Sequence, residues 1–70
     1  MTETMRITFN GFEETVPELS TIANLLEFFK EGEKSVIVEL NGRFVYPRLY
    51  DTTVVAPGDK LEFISPAFGG

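Results

Sequence analysis

Few side chains in this sequence are able to do covalent chemistry, and its last residues raise a question of their own. With no cysteine and no histidine among seventy residues, the chain lacks a thiolate nucleophile, a thiolate–zinc site, and the commonest general base and metal ligand. The acids and hydroxyls that remain form no nucleophile–base pair, so catalysis by the chain's own side chains is not expected. Glu13, Glu14, Glu18, Glu31 and Glu33 read as a solvated acidic surface rather than a metal site, because the D-x-D-x-D-G spacing that gathers oxygens around calcium is absent. The sequence closes on "SPAFGG" at residues 65–70, an apolar stretch with two glycines last. Two terminal glycines carry little information alone, since chain ends fray. Their meaning depends on the elements that hold them.

Seventy residues suit one small domain, and 43% hydrophobic residues with seven phenylalanines supply enough material for a core. Eleven acids against six bases leave a net charge of −5. That balance opposes nucleic acid binding, which draws its affinity from Lys and Arg on phosphates, and suits a basic protein partner. The first residues lack the basic-then-apolar pattern of a secretory signal, and no apolar run approaches the ~20 residues of a membrane span. A cytoplasmic location without a membrane partner is the expectation.

Residues 5–9 alternate apolar and polar, then Asn10-Gly11 supplies a strong hairpin signal because both positions tolerate positive φ. Residues 12–16 return as a second strand, with Met5, Ile7, Phe9 and Val16 on one face, and Pro17 is expected to stop the pairing. From Thr21 the period changes: Ile22, Leu25, Leu26 and Phe29 form one helical stripe, capped by Ser20 or Thr21. Gly32 is expected to end this helix after about three turns, with Lys30 near the negative end of its dipole. Residues 35–40 alternate again with Val36, Val38 and Leu40 on one face. A second Asn-Gly at 41–42 leads into a short strand over 43–46. Residues 47–53 read as irregular and Pro57-Gly58-Asp59 as a turn. The last strand covers 60–65, with Leu61 and Phe63 facing one way and Glu62 and Ile64 the other. One helix is the only cover for one apolar sheet face, and placing the last strand centrally beside the first keeps both long strands off the edges. The expected fold is α+β, a β-grasp with a mixed four- to five-stranded sheet wrapped on one helix. Its domain spans residues 1–65 and is followed by a flexible Gly-Gly tail over 66–70.

The blocks "ITFNG" at 7–11, "TIANLLEFF" at 21–29, "VIVELNGRFVYPR" at 36–48, "PGDKLEFI" at 57–64 and the terminal "GG" follow one another along nearly the whole chain. In this order the chain resembles the ThiS/MoaD group of ubiquitin-like sulfur carriers, and more the thiamine-type ThiS members than the longer molybdopterin-type MoaD ones. The resemblance implies that an E1-like adenylating enzyme of the ThiF/MoeB type activates the Gly70 carboxylate with ATP and Mg²⁺ held by that enzyme. The carboxylate becomes a thiocarboxylate charged from a sulfur donor system, and the sulfur passes to an acceptor such as a ThiG-type thiazole synthase. The carrier itself binds no cofactor or metal and is not an enzyme. "PAFGG" departs from the more Gly-rich ending frequent among thiamine-type members.

That chemistry fits the physical character of the tail. Pro66, Ala67, Phe68, Gly69 and Gly70 reach at most about 16–18 Å when extended, enough to thread a narrow site. The terminal glycines lack Cβ and let a foreign active site approach the backbone closely. Ile37, Ile64 and Phe44 fall on the sheet face opposite the core and form a candidate partner-binding patch. Two rivals stay open at this point: a covalent modifier that joins Gly70 to a lysine, and a non-covalent module that uses the Ile37/Ile64 face alone. The pathway is open as well, between thiazole formation, molybdopterin synthesis and another sulfur-incorporating route.

Overall fold

The computed structural model describes residues 3–31 and 35–65. Within them the order is β1 (Thr4–Phe9), β2 (Phe12–Pro17), α1 (Ile22–Phe28), β3 (Ile37–Leu40), β4 (Arg43–Val45) and β5 (Lys60–Ile64). The five strands form one mixed sheet in the order β2-β1-β5-β3-β4, with β1 and β5 parallel and the remaining neighbours antiparallel. The last strand thus occupies the centre beside the first, as a β-grasp requires. The edges are taken by β2, which at six residues is as long as β1, and by the three-residue β4.

Alternation decides what each strand buries. Met5, Ile7, Val16, Val38, Val45, Leu61 and Phe63 form the sheet side of the core, against Ile22 and Leu25 of the helix and Val55 from the segment before β5. Phe9, Leu26, Phe29, Val36 and Leu40, expected in the core, are only partly buried and pack along its margin. Among them Phe9 and Phe29 stack face to face with ring centroids 3.9 Å apart, and Phe63 meets Phe9 edge-on at 4.9 Å. These contacts join the end of β1, the end of the helix and β5.

The helix begins where its hydroxyl signal places it, at Thr21 rather than Ser20. The Asn24 N–H donates to Thr21 Oγ1 at 3.1 Å while the Thr21 N–H donates to Asn24 Oδ1 at 3.0 Å, a reciprocal capping box. Its end differs from the expectation at Gly32, which lies outside the described residues. Lys30 adopts a left-handed φ of 61°, its N–H donates to the Glu27 carbonyl, and the Glu31 N–H donates to that of Leu26. This Schellman closure, built on a lysine, stops the helix after seven residues, about two turns and not three.

Pro17 does not stop the hairpin either: it pairs with Thr4, and the Glu18 N–H goes on to bond the Glu3 carbonyl at 2.9 Å. The reason is parity. Arg6 and Thr8 turn their polar backbone groups toward the β5 side, so their same-phase neighbour Thr4 does too, and the position opposite it on edge strand β2 points its nitrogen outward. A missing N–H costs nothing in the ladder there.

The segment read as irregular, 47–53, is organised. A 3-10 turn at Pro47–Leu49 leads to the Tyr50 and Thr53 carbonyls, which accept the Ala23 and Ile22 N–H groups at 3.0 Å each. With Thr21 serving Asn24, all three donors of the first helical turn are satisfied. The Val55 N–H bonds the Ser20 carbonyl, and Thr21 bridges to Val54.

Candidate functional site

The candidate site has two parts on the page: the strand that leads toward the Gly-Gly end, and the outer face of the sheet beside it. The tail residues Pro66, Ala67, Phe68, Gly69 and Gly70 lie outside the described residues.

Running parallel to β1, β5 finishes at the end of the sheet that holds the β1–β2 turn. Its backbone pairing with β1 covers Thr8↔Lys60 and Phe9↔Leu61, after which β1 turns away at Asn10-Gly11, with φ of 49° and 87°. Pairing with β3 continues three residues further, through Glu39↔Glu62, Val38↔Phe63 and Ile37↔Ile64. Asn10 and Asn41, identified in the sequence only as turn formers, also bind β5 with their side chains. Asn10 Oδ1 accepts the Phe63 N–H at 2.9 Å on one flank, and Asn41 Oδ1 accepts the Lys60 N–H at 2.9 Å on the other. Asn41 Nδ2 also donates to Asp59 at 3.1 Å, and Asp59 in turn accepts the Ala56 N–H at 2.8 Å, closing the turn that enters the strand. The requirement for positive φ could be read from the Asn-Gly pairs; the second use of the carboxamides needed the topology.

The outer face carries the three residues singled out for partner binding. Ile37 stands directly opposite Ile64 in the β3–β5 register, and Phe44 stands opposite Glu39 on the same face. Their exposures of 38%, 40% and 50% leave an open apolar surface, and the 47–56 segment packs at the start of the helix instead of covering it. Tyr46 extends the patch: its ring meets Phe44 edge-to-face at 4.8 Å, and the Arg48 guanidinium lies 5.3 Å from its centroid. Strand parity was enough to find Ile37, Ile64 and Phe44; Tyr46 shares the parity of Phe44 within the expected strand over 43–46 but was not singled out. Glu39 and Glu62 face each other within this surface, a like-charge pair that gives it an acidic centre. Further along the outer face Arg6 meets Glu13 at 3.3 Å, an exposed pair of small energetic weight.

Among the described residues no three carboxylates converge into a metal-binding group. No helix among them is long and apolar enough to cross a membrane.

The comparisons with known proteins agree with this arrangement. No protein of curated function matches the chain. A solved structure of the thiamine biosynthesis protein ThiS from Geobacter metallireducens is similar to it, with a TM-score of 0.84 and 36% identity over 94% of this chain and 100% of that one. The model of the ThiS family matches residues 1–70. With the family pattern running from the first strand through the Gly-Gly end, the chain belongs to the ThiS family.

Proposed function

We propose that this protein is a sulfur carrier in thiamine biosynthesis, a co-substrate of partner enzymes and not itself a catalyst, acting in the cytoplasm. The observation that carries the reading is the central position of β5, which leads directly toward Gly69-Gly70, in a chain whose ThiS-family match extends over the same end. A strand fixed between two neighbours is a rigid base for a slim arm; an edge strand would be a poor one.

In this reading the Gly70 carboxylate attacks the α-phosphate of ATP on an E1-like partner, pyrophosphate leaves, and an acyl adenylate results. Hydrosulfide supplied by the donor system then attacks the acyl carbon, the acyl–phosphate bond breaks, AMP departs and the proton is lost to solvent, leaving the thiocarboxylate. A carboxylate is a poor acyl donor, and the mixed anhydride supplies the leaving group it lacks. ATP, Mg²⁺ and the charges that stabilise the transition state belong to the partner. The ThiG-type thiazole synthase is the acceptor. Ile37, Ile64 and Phe44 dock the carrier by their exposed apolar surface while Pro66, Ala67 and Phe68 pass the two glycines into the partner's channel.

Tandem mass spectrometry tests this on the C-terminal fragment of protein isolated from cells containing its activating enzyme. One oxygen replaced by sulfur at Gly70 is the expected result. Localisation matters, because oxidation of a methionine adds nearly the same nominal mass. An unmodified Gly70 beside an active partner and ATP would sink the reading. The open Ile37/Ile64 face favours, as the second reading, a non-covalent interaction module, and full function after deletion of Gly70 would select it.

A further inference from the structure

We propose that Asn10 is a positioning residue for the chemistry at Gly70: its carboxamide stands in for a strand carbonyl and sets the point where the last strand leaves the sheet. The inference rests on the carrier reading above.

The geometry has three steps along one flank of β5. The Thr8 N–H donates to the Asp59 carbonyl at 2.9 Å, and the Asn10 N–H donates to the Leu61 carbonyl at 3.0 Å. A parallel ladder that continued would next give the Phe63 N–H the backbone carbonyl of residue 10. At a φ of 49° Asn10 has already entered its turn, and the Phe63 N–H donates to Asn10 Oδ1 at 2.9 Å instead. The side chain adds one rung after the main chain has turned away. Asparagine is suited to both duties, because it tolerates the left-handed region and its carbonyl matches that of the backbone.

Consequences for the arm follow from where the rungs end. Beyond Phe63 no β1 residue lies beside β5, and on the other flank the last pair is Ile37↔Ile64. Together these two contacts make residue 65 the first free of both neighbours. Loss of the Asn10 rung would leave Phe63 held from the β3 flank alone, so the base of the arm gains slack on the β1 flank while Ile64 keeps its place opposite Ile37. A carboxylate with more slack spends less time in line with a nucleotide, and an ångström of misplacement is enough to cost a large factor in rate. The docking face itself is unchanged.

Asn41 provides the internal control. It makes the corresponding bond to Lys60 at the start of the same strand, far from the exit. Asn10→Gly removes the carboxamide while preserving freedom for positive φ, Asn10→Asp keeps an acceptor oxygen, and Asn41→Gly loosens the other end. Amide exchange by NMR and steady-state adenylation by the partner enzyme would be measured on the four full-length proteins. In Asn10→Gly we expect Phe63 exchange to rise at least tenfold and kcat to fall about tenfold at unchanged KM. Asn10→Asp restores both, and Asn41→Gly accelerates exchange at Lys60 with kcat retained. An unchanged kcat alongside fast Phe63 exchange in Asn10→Gly would overturn the proposal and leave the carrier reading standing. Unchanged Phe63 exchange, or an equal loss of kcat in Asn41→Gly, would overturn it too. Absence of adenylation in the unaltered chain would instead remove the carrier reading and this proposal with it.

Discussion

The two faces of β5 meet opposite surroundings. Leu61 and Phe63 point into the core, while Glu62 and Ile64, one residue away in each case, stand on the outer face. The inner face is closed by the helix and by Val55. The outer face bears isoleucines, an aromatic pair and two opposed glutamates with nothing above them among the described residues. Burial alone would not place an acid pair beside exposed isoleucines. In a chain this short, one strand does both jobs: alternate side chains secure the fold and the others are available to a partner.

The sharpest way to break the comparison is on the inner face. Leu61 is fully buried at the centre of the sheet, so Leu61→Ala loses transfer energy and leaves a cavity, at a cost of about 2–5 kcal/mol. For a chain of this size that is a large share of total stability, on the order of 4–10 kcal/mol. Urea denaturation of Leu61→Ala is therefore expected to show a much lower midpoint, or no folded baseline. A midpoint near that of the unaltered protein would mean the inner face is not the principal source of stability.

On the outer face the expected effect changes in kind. Ile64→Thr keeps β-branching and removes apolar surface, so the fold is expected to lose no more than about 1 kcal/mol. Docking on the activating enzyme should suffer more: KM for the carrier rises about tenfold, or about 1.4 kcal/mol, with kcat nearly unchanged. Steady-state adenylation kinetics separate the two. If Ile64→Thr lowers stability as much as Leu61→Ala and leaves KM alone, the division of labour between the faces is wrong.

Those faces were legible from the sequence because period-two alternation is a local property, and two Asn-Gly turns fixed the phase of four strands around it. The central place of β5 was legible for a different reason: one helix covers one face, and exposed long edges are unfavourable. What could not be read depends on contacts between distant segments. Val55 sits in a run without alternation, and only its hydrogen bond to Ser20 and its place against the helix make it core. Lys30 ends the helix although glycine is the better left-handed residue: the bonds of the Lys30 and Glu31 N–H groups to the Glu27 and Leu26 carbonyls close it there. The Asn10 and Asn41 side-chain bonds join residues 53 and 19 positions apart, beyond any local pattern. The tail was recognised by residue type and order alone, since residues 66–70 lie outside the described residues.

The smallest expected effect comes from the segment that plugs the end of the inner face. Tyr50 is partly buried beside the core, and burial raises its phenol above the ordinary tyrosine value because the charged form is desolvated. In the unfolded chain the phenol ionises near ~10, whereas the folded chain holds the proton to higher pH. Between those two values the unfolded state has released a proton that the folded state keeps, so this contribution to stability is complete below about pH 10 and is lost as pH rises through the folded value. Tyr50→Phe cannot ionise and should escape that loss. Urea midpoints followed from pH 8 to 11 are therefore expected to fall more steeply for the unaltered protein than for the variant. Parallel curves would show that the ring is solvated in the native state and that the 47–53 segment lies over the core more loosely than its hydrogen bonds imply.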